Sequence, residues 1–301
     1  MTTMFDPHNV RFAIMPTCWV NDDFPWVGDA PYQQIMSEMA LAGFEGCSVS
    51  HTYPSDPAVL KREMDMRGLV VSEPWVSLYF TAHDMVDLTL ESFAAELDKV
   101  VAMGGTEMVV AELGNSVHQL PDVALLPNKP ILDADQWQRL ADGLNEVGRM
   151  TAEKGLLLCY HHHMGTGVQT RAEVDRLMSL TNPDTVHLLL DAGHLAWAGD
   201  DPLAMARAYA HRIRHVHLKD IRQSLRDEAV AKRWSFYQGV MAGVFTVPGD
   251  GDIDFRPIFE VLADANYAGW FSVEAEQDPL KANPLEFALR ARAYIREVVG
   301  F

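Results

Sequence analysis

Four apolar runs in this chain end in groups able to hold protons or metal ions. CYHHHMGTG (159–167) sets three histidines before two glycines, and LLLDAGH (188–194) ends in Asp191 and His194. HVHLKD (215–220) supplies His215, His217 and Lys219, and FSVEAEQD (271–278) supplies Glu274 and Glu276. Side chains two residues apart on a strand share a face. His161 and His163 are therefore expected to point one way and His162 the other, with His215 beside His217 and Glu274 beside Glu276. His161, Asp191, His217 and Glu274 form a mixed nitrogen and oxygen donor set without thiolates. Such a set suits manganese, cobalt or zinc and leaves coordination positions for a substrate. A metal-free polar pocket is the alternative. His163 and His194 are not needed as ligands and are free to move protons near a bound carbonyl. Lys219, Glu276 and Glu112 are candidates for positioning hydroxyls, with a plain structural ion pair the equal alternative for each. A single histidine at such a place reads as a satisfied core residue; four neighbouring strand ends together do not.

The elements that must carry these groups alternate along the chain. Strand candidates are RFAIMP (11–16), FEGCSVS (44–50), GLVVSEPW (68–75), TEMVVAEL (106–113), GLLLCYHHH (155–163), TVHLLLDAG (185–193), IRHVHLKD (213–220) and GWFSVEAE (269–276). Several are continuous in Val, Leu and Ile, as strands buried on both faces should be. Helical spacing joins Ile35 to Met39 and runs through Trp137, Leu140, Leu144 and Val147, while Thr170 and Glu173 match a capping box. Gly43, Gly68, Gly104, Gly155 and Gly269 each precede a strand, where a helix end favours a left-handed residue.

Eight strand–helix units without a break in composition predict a single (β/α)8 TIM barrel spanning residues 1–301. The rival, a doubly wound sheet, lacks a GxGxxG after the first strand. Long connections at 114–132 and 221–253 fall on the C-terminal face, where lids, binding elements or subunit contacts are expected. Trp19, Trp75 and Trp197 lie near strand ends and could wall a pocket, or could be core or interface anchors.

Bulk properties narrow the function. The chain has 24 basic and 42 acidic residues, a net charge of −18, which repels nucleic acid and anionic membranes. Its three cysteines are widely spaced and suggest neither a disulfide framework nor a thiolate zinc site. No leader pattern opens the sequence and no apolar run is long enough to span a bilayer, so a cytoplasmic enzyme is expected.

With these residues assembled, the chain resembles the xylose isomerase-like TIM-barrel superfamily, and within it the inosose dehydratase group. The stretches that carry the resemblance are WVNDD (19–23), SEMALAGFEG (37–46), YHHHMGTGVQT (160–170), LLLDAGHLAWAG (188–199), HVHLKDIR (215–222), VFTVPGDGDIDF (244–255) and VEAEQDPLKANPLEFA (273–288). The superfamily's metal pattern of Glu, Asp, His and Glu carries over at Asp191, His217 and Glu274. His161 stands where the first glutamate would be, either as a ligand or bonded to a bound water. The chain also departs from the group at Cys18–Val20, Ser48, His51, Leu113 and Asn115. The resemblance implies dehydration of 2-keto-myo-inositol to a trihydroxycyclohexane-dione, a manganese or cobalt ion, and an association with glutathione; a homo-oligomer is expected as well. A ketose isomerase or epimerase on the same scaffold is the first alternative and a non-catalytic sugar-binding barrel the second.

Overall fold

The computed structural model describes residues 3–301. Its strands are β1 (Val10–Ile14), β2 (Gly46–Ser48), β3 (Val70–Glu73), β4 (Trp75–Leu78), β5 (Glu107–Glu112), β6 (Leu157–His161), β7 (Val186–Asp191), β8 (Ile213–Leu218), β9 (Asp220–Ile221), β10 (Phe245–Thr246) and β11 (Gly269–Val273). One nine-stranded sheet runs in the order β3-β2-β1-β11-β8-β7-β6-β5-β4, and every pairing within it is parallel. Its two end members are consecutive in the chain, separated only by Pro74. A proline has no N–H to give a ladder, so the expected third strand switches there from pairing with β2 to pairing with β5. The two halves make one stave, and the sheet closes into the expected eight-staved barrel.

Helices pack around this barrel for legible reasons. Ala134–Glu153 starts at a capping box between Asp133 and Gln136 and buries Trp137, Leu140, Leu144 and Val147. Arg171–Leu180 starts at the expected Thr170–Glu173 box. Four of the five glycines before strands have φ between +69° and +87°, whereas Gly269 lies at +151°. A Cβ on Gly269 would come 2.5 Å from the carbonyl oxygen of Arg214, so close strand approach requires that glycine.

The main apolar cluster lies between strands and helices and includes Phe12, Leu188, Leu190, Phe271, Leu140 and Phe259. Inside the barrel, Val109, Cys159 and Leu189 form a small separate plug. A third cluster caps the C-terminal face, drawing Phe24 and Val27, Val117 and Leu125, Met164, Trp197, Phe236 and Phe245 from separate loops. The two long connections are structured: 114–132 contains the helix Leu125–Asn128, and 221–253 contains helices Gln223–Ala231 and Phe236–Ala242 plus β10, which pairs antiparallel with β9. Among the described residues, no helix is long and apolar enough to cross a membrane.

Candidate active site

The three adjacent histidines divide as strand alternation requires. His162 turns away, and its Nε2 accepts the backbone N–H of Asp191 at 3.3 Å. Burial pushes its pKa down to about 3, so it stays neutral. His161 and His163 face the barrel mouth, with ring centroids 5.4 Å apart.

Strand register brings the next groups level. His217 is opposite Asp191 on one side and Ser272 on the other. Asp191 ends β7 and caps the helix Ala192–Ala198, its Oδ1 accepting from His194 N at 2.8 Å. Its Oδ2 is left to the site, 3.3 Å from His161 Nε2 and 3.4 Å from His217 Nδ1. Glu274 Oε2 lies 2.7 Å from His217 Nδ1. Neither of that last pair is aligned for a hydrogen bond, and both atoms are buried. Two buried potential ligand atoms that converge without an aligned hydrogen bond fit a shared cation. Ligand atoms around an ion with bonds of ~2.1 Å sit about 3 Å apart, and these spacings match. Oxygen and imidazole nitrogen donors suit manganese, cobalt or zinc. His161, Asp191, His194 and Glu274 also have ligand atoms mutually within 4.8 Å.

Beneath this cluster lies a buried polar layer that sequence reasoning missed. Glu73 accepts from His217 Nε2 at 2.7 Å, from His215 Nε2 at 3.0 Å and from Ser272 Oγ at 2.7 Å. Glu107 faces His215 Nδ1 at 2.5 Å. With Nε2–H donated to Glu73, His217 turns Nδ1 upward, the arrangement in which a carboxylate fixes a ligand's tautomer. Against burial, Glu73 and Glu274 raise its pKa well above the ordinary value, so an ion would displace the Nδ1 proton. Burial opposes charge on His215, but Glu73 and Glu107 outweigh it and push its pKa up to about 9. Burial likewise opposes charge on Glu73, yet His215 and His217 hold its carboxyl well below the usual range. The available signal was a glutamate ending a valine-rich run just before Pro74.

On the other flank, Lys219 is fully buried. Its Nζ lies 2.8 Å from Glu276 Oε2, 3.0 Å from Glu274 Oε2 and 2.7 Å from His194 Nε2. Burial disfavours the ammonium, but Glu274, Glu276 and Asp191 reverse this and raise its pKa. Burial pushes Glu276 up to about 7 against the pull of Lys219. Gly193 makes this packing possible, since a Cβ there would meet Lys219 Cγ at 2.5 Å.

His163 and His194 lie against each other, ring centroids 3.8 Å apart and planes tilted by 46°. Burial depresses both pKa values well below 6.5, helped for His163 by His118, His161 and Lys219, and for His194 by His163 and Lys219. His163 Nδ1 is 2.8 Å from the carbonyl oxygen of Met164 and must donate to it, so Nε2 keeps a lone pair. His194 Nε2 accepts from the Lys219 ammonium, so its Nδ1 carries the proton, and that atom is buried without a partner.

Loop 114–132 closes behind His163. His118 is buried 4.7 Å from the His163 ring and 3.4 Å from Asp23 Oδ1. Both glycines of HHHMGTG make room for this loop. A Cβ on Gly165 would meet Leu125 Cδ1 at 2.8 Å and His118 N at 3.0 Å, and one on Gly167 would meet Leu132 Cδ2 at 2.8 Å.

The pocket over these groups is lined by Trp75, His163, Glu274 and Glu276 together with Thr17, Asn21 and Asp23. Trp75 packs edge-on against His161 and His163. Three expected members are placed elsewhere. Glu112 is turned into the backbone, accepting from Phe80 N, Thr81 N, Thr81 Oγ1 and Gly114 N; it braces the 79–81 loop instead of meeting substrate. Trp19 is buried in the main cluster, its Nε1–H donated to Glu38 Oε2 at 2.5 Å. Trp197 belongs to the capping cluster, stacked on Phe236.

Comparison with known proteins agrees with this architecture. Residues 34–298 match the family model described as xylose isomerase-like TIM barrel. A Geobacillus thermodenitrificans protein named inosose dehydratase is 48% identical over 298 residues, covering 99% of this chain and 100% of its own length. A Bacillus anthracis protein of the same name is 47% identical over the same shares. Among solved structures, the IOLI protein with a bound zinc atom superposes with TM-score 0.70 at 14% identity, over 96% of this chain and 98% of that one. The probable 3-DHS dehydratase AsbF from Bacillus anthracis gives 0.71 at 12% identity, over 95% and 98%. These two show the shared fold. The chain belongs to the xylose isomerase-like TIM-barrel family and is a sugar-related dehydratase, an enzyme of the lyase class.

Proposed function

We propose that this enzyme removes water from a cyclic polyhydroxy ketone, 2-keto-myo-inositol being the substrate its relatives' name favours, to give a trihydroxycyclohexane-dione. The observation that carries this is a close pair of neutral histidines of opposite hydrogen-bonding polarity, His163 lining the pocket and His194 tilted against it, beside the convergent atoms of Asp191, His217 and Glu274. Those three residues, flanked by His161, would hold a divalent ion, with manganese or cobalt the first choices and zinc the third. Such an ion supplies Lewis acidity to a ketone and its neighbouring hydroxyl.

The protein's own groups divide the proton work. His163 offers the Nε2 lone pair and, being neutral, takes the proton from the carbon next to the carbonyl. His194 offers Nδ1–H, which donates to the hydroxyl that departs as water. Lys219, held by Glu276, fixes that tautomer by occupying His194 Nε2. Because the deprotonated carbon itself bears a hydroxyl, loss of the β-hydroxyl leaves an enol that becomes a 1,2-dione. The capping cluster keeps solvent from the pocket during these transfers.

The test is to incubate metal-loaded enzyme with the ketone in deuterated buffer and follow it by NMR and dione absorbance. Chelator-treated and metal-restored samples run alongside. Loss of one hydroxyl and metal-restored turnover are expected. Deuterium exchange without water loss would replace this reading with epimerisation, and full turnover after metal removal would end the role of the ion.

A further inference from the structure

Part of the pocket lining is built by the segment that follows β1. Asn21 lines the pocket and is 1% exposed. Its Oδ1 accepts two backbone N–H groups, Asp23 N and Phe24 N, each at 2.9 Å. Only an oxygen can accept from both, so the orientation of the amide is fixed by chemistry. Nδ2 is therefore a donor group held in place, buried and without a protein partner. Thr17, which also lines the pocket, has an Oγ1 that is likewise buried and unpaired.

A buried donor left unmatched is costly, and two around the one pocket that Glu274, Glu276 and His163 also line call for a ligand oxygen. The turn has no freedom to supply one from the protein: Asn21 N donates to Val27 O at 3.1 Å, and Phe24 anchors in the capping cluster. Asp22 is occupied by Ser50 Oγ and the His51 backbone N–H, and Asp23 by Gln119 Nε2. A water can fill the place in the free enzyme and leave when a ligand oxygen of the same geometry arrives.

We propose that Asn21, with Thr17 also lining the pocket, is a specificity-determining residue that reads a ring hydroxyl taking no part in the elimination. This rests on the polyol-ketone reading of the site and adds to it. The enzyme would then select a substrate that bears this hydroxyl, and reject ketones that lack it. A site built to bond a hydroxyl discriminates strongly against analogues that lack it, because its own group is then left unpaired.

The experiment compares wild type with Asn21→Ser on 2-keto-myo-inositol and on a series of analogues, each lacking one ring hydroxyl. A serine hydroxyl can still cap the turn but does not reach the position of Nδ2. In wild type, one deoxy analogue should lose about 10- to 100-fold in kcat/KM, mostly through KM. In Asn21→Ser the parent ketone should fall by a similar factor while that analogue falls no further, and the other analogues keep their wild-type ratios. An unchanged analogue profile in the variant overturns the proposal. A structure of the wild-type complex decides independently of any variant's folding. A ligand hydroxyl within about 3.2 Å of Asn21 Nδ2 is expected, and none there refutes it. If wild type binds these ketones by calorimetry without releasing water, the dehydration reading fails alone and the binding ratios decide this one. If no ketone binds, both fail.

Discussion

Replacing Glu73 by glutamine tests whether the buried layer governs the site above it. The carboxylate accepts from His217 Nε2, His215 Nε2 and Ser272 Oγ at 2.7, 3.0 and 2.7 Å. Glutamine fits the same space but has one acceptor oxygen and no charge. The least disruptive arrangement gives that oxygen to His217 and turns the amide nitrogen toward His215, which then sheds its extra proton and keeps its bond to Glu107. His217 thus retains its tautomer, but its bond to residue 73 passes from charge-assisted to neutral. Hydrogen bonds to charged groups contribute roughly 1.5–3 kcal/mol against roughly 0.5–1.5 for neutral ones. The loss in ligand strength is then about 1–1.5 kcal/mol, or about 5- to 12-fold in metal affinity, near the lower end of the 10- to 100-fold typical of such outer partners. Glu73→Ala would instead strand three buried donors at about 1–3 kcal/mol each, so folding would confound it. The assay is titration of chelator-stripped protein with cobalt, by calorimetry and by absorption, next to a urea denaturation curve. Unchanged cobalt affinity in a folded Glu73→Gln protein would refute the link between this layer and His217.

Other outcomes follow from the same geometry. Lys219→Met should abolish turnover and lower stability by about 3–5 kcal/mol, because Glu274 and Glu276 lose a buried counter-charge; a denaturation midpoint within experimental error of wild type would contradict this. Gly165→Ala places a Cβ at φ +75° against Leu125 and His118, costing at least about 1–3 kcal/mol. Hydrogen exchange should accelerate over residues 117–125, and unchanged protection there would show that the loop does not depend on this glycine. The acid limb of kcat/KM, measured at saturating metal, should lie below pH 6.5. His163 acts when neutral, and burial together with His118, His161 and Lys219 lowers its pKa, so activity persists as pH falls until that lowered value is passed. A limb at or above pH 7 would assign the base elsewhere.

The staves and the faces they present were legible because strand alternation is a local rule. His161 and His163 share a face, as do His217 with Lys219 and Glu274 with Glu276, whatever the rest of the chain does. What alternation cannot give is reach. Glu112 sits at a strand end as suitable as that of Glu274, but loop 79–81 offers it backbone N–H groups and captures both oxygens. Trp19 carries a ring N–H that needs an acceptor on burial, and Glu38, 19 residues on, provides it inside the core. Asn21, His118 and Asp23 lie in loops without periodicity, so only the folded chain shows Asn21 and Asp23 at the pocket and His118 against His163. Even there a local trace exists: Gly165 and Gly167 announce that something must pass close above the histidines, though not that it is His118 and Leu132.

Asp191 shows why fold and site cannot be separated here. One carboxylate oxygen starts the helix Ala192–Ala198 and the other completes the cluster, so capping orients the ligand and the cluster anchors the helix. That helix carries His194, whose tautomer is set by Lys219, whose charge is held by Glu274 and Glu276 on the next stave. Substituting Asp191 by asparagine would still cap the helix through its oxygen but would turn an amide nitrogen toward His161, His217 and Lys219. The variant should therefore fold, keep its helix content by circular dichroism and lose metal affinity far more than Glu73→Gln does. Equal losses in the two variants would mean that Asp191 acts through the helix it caps and not through the atom it presents to the site.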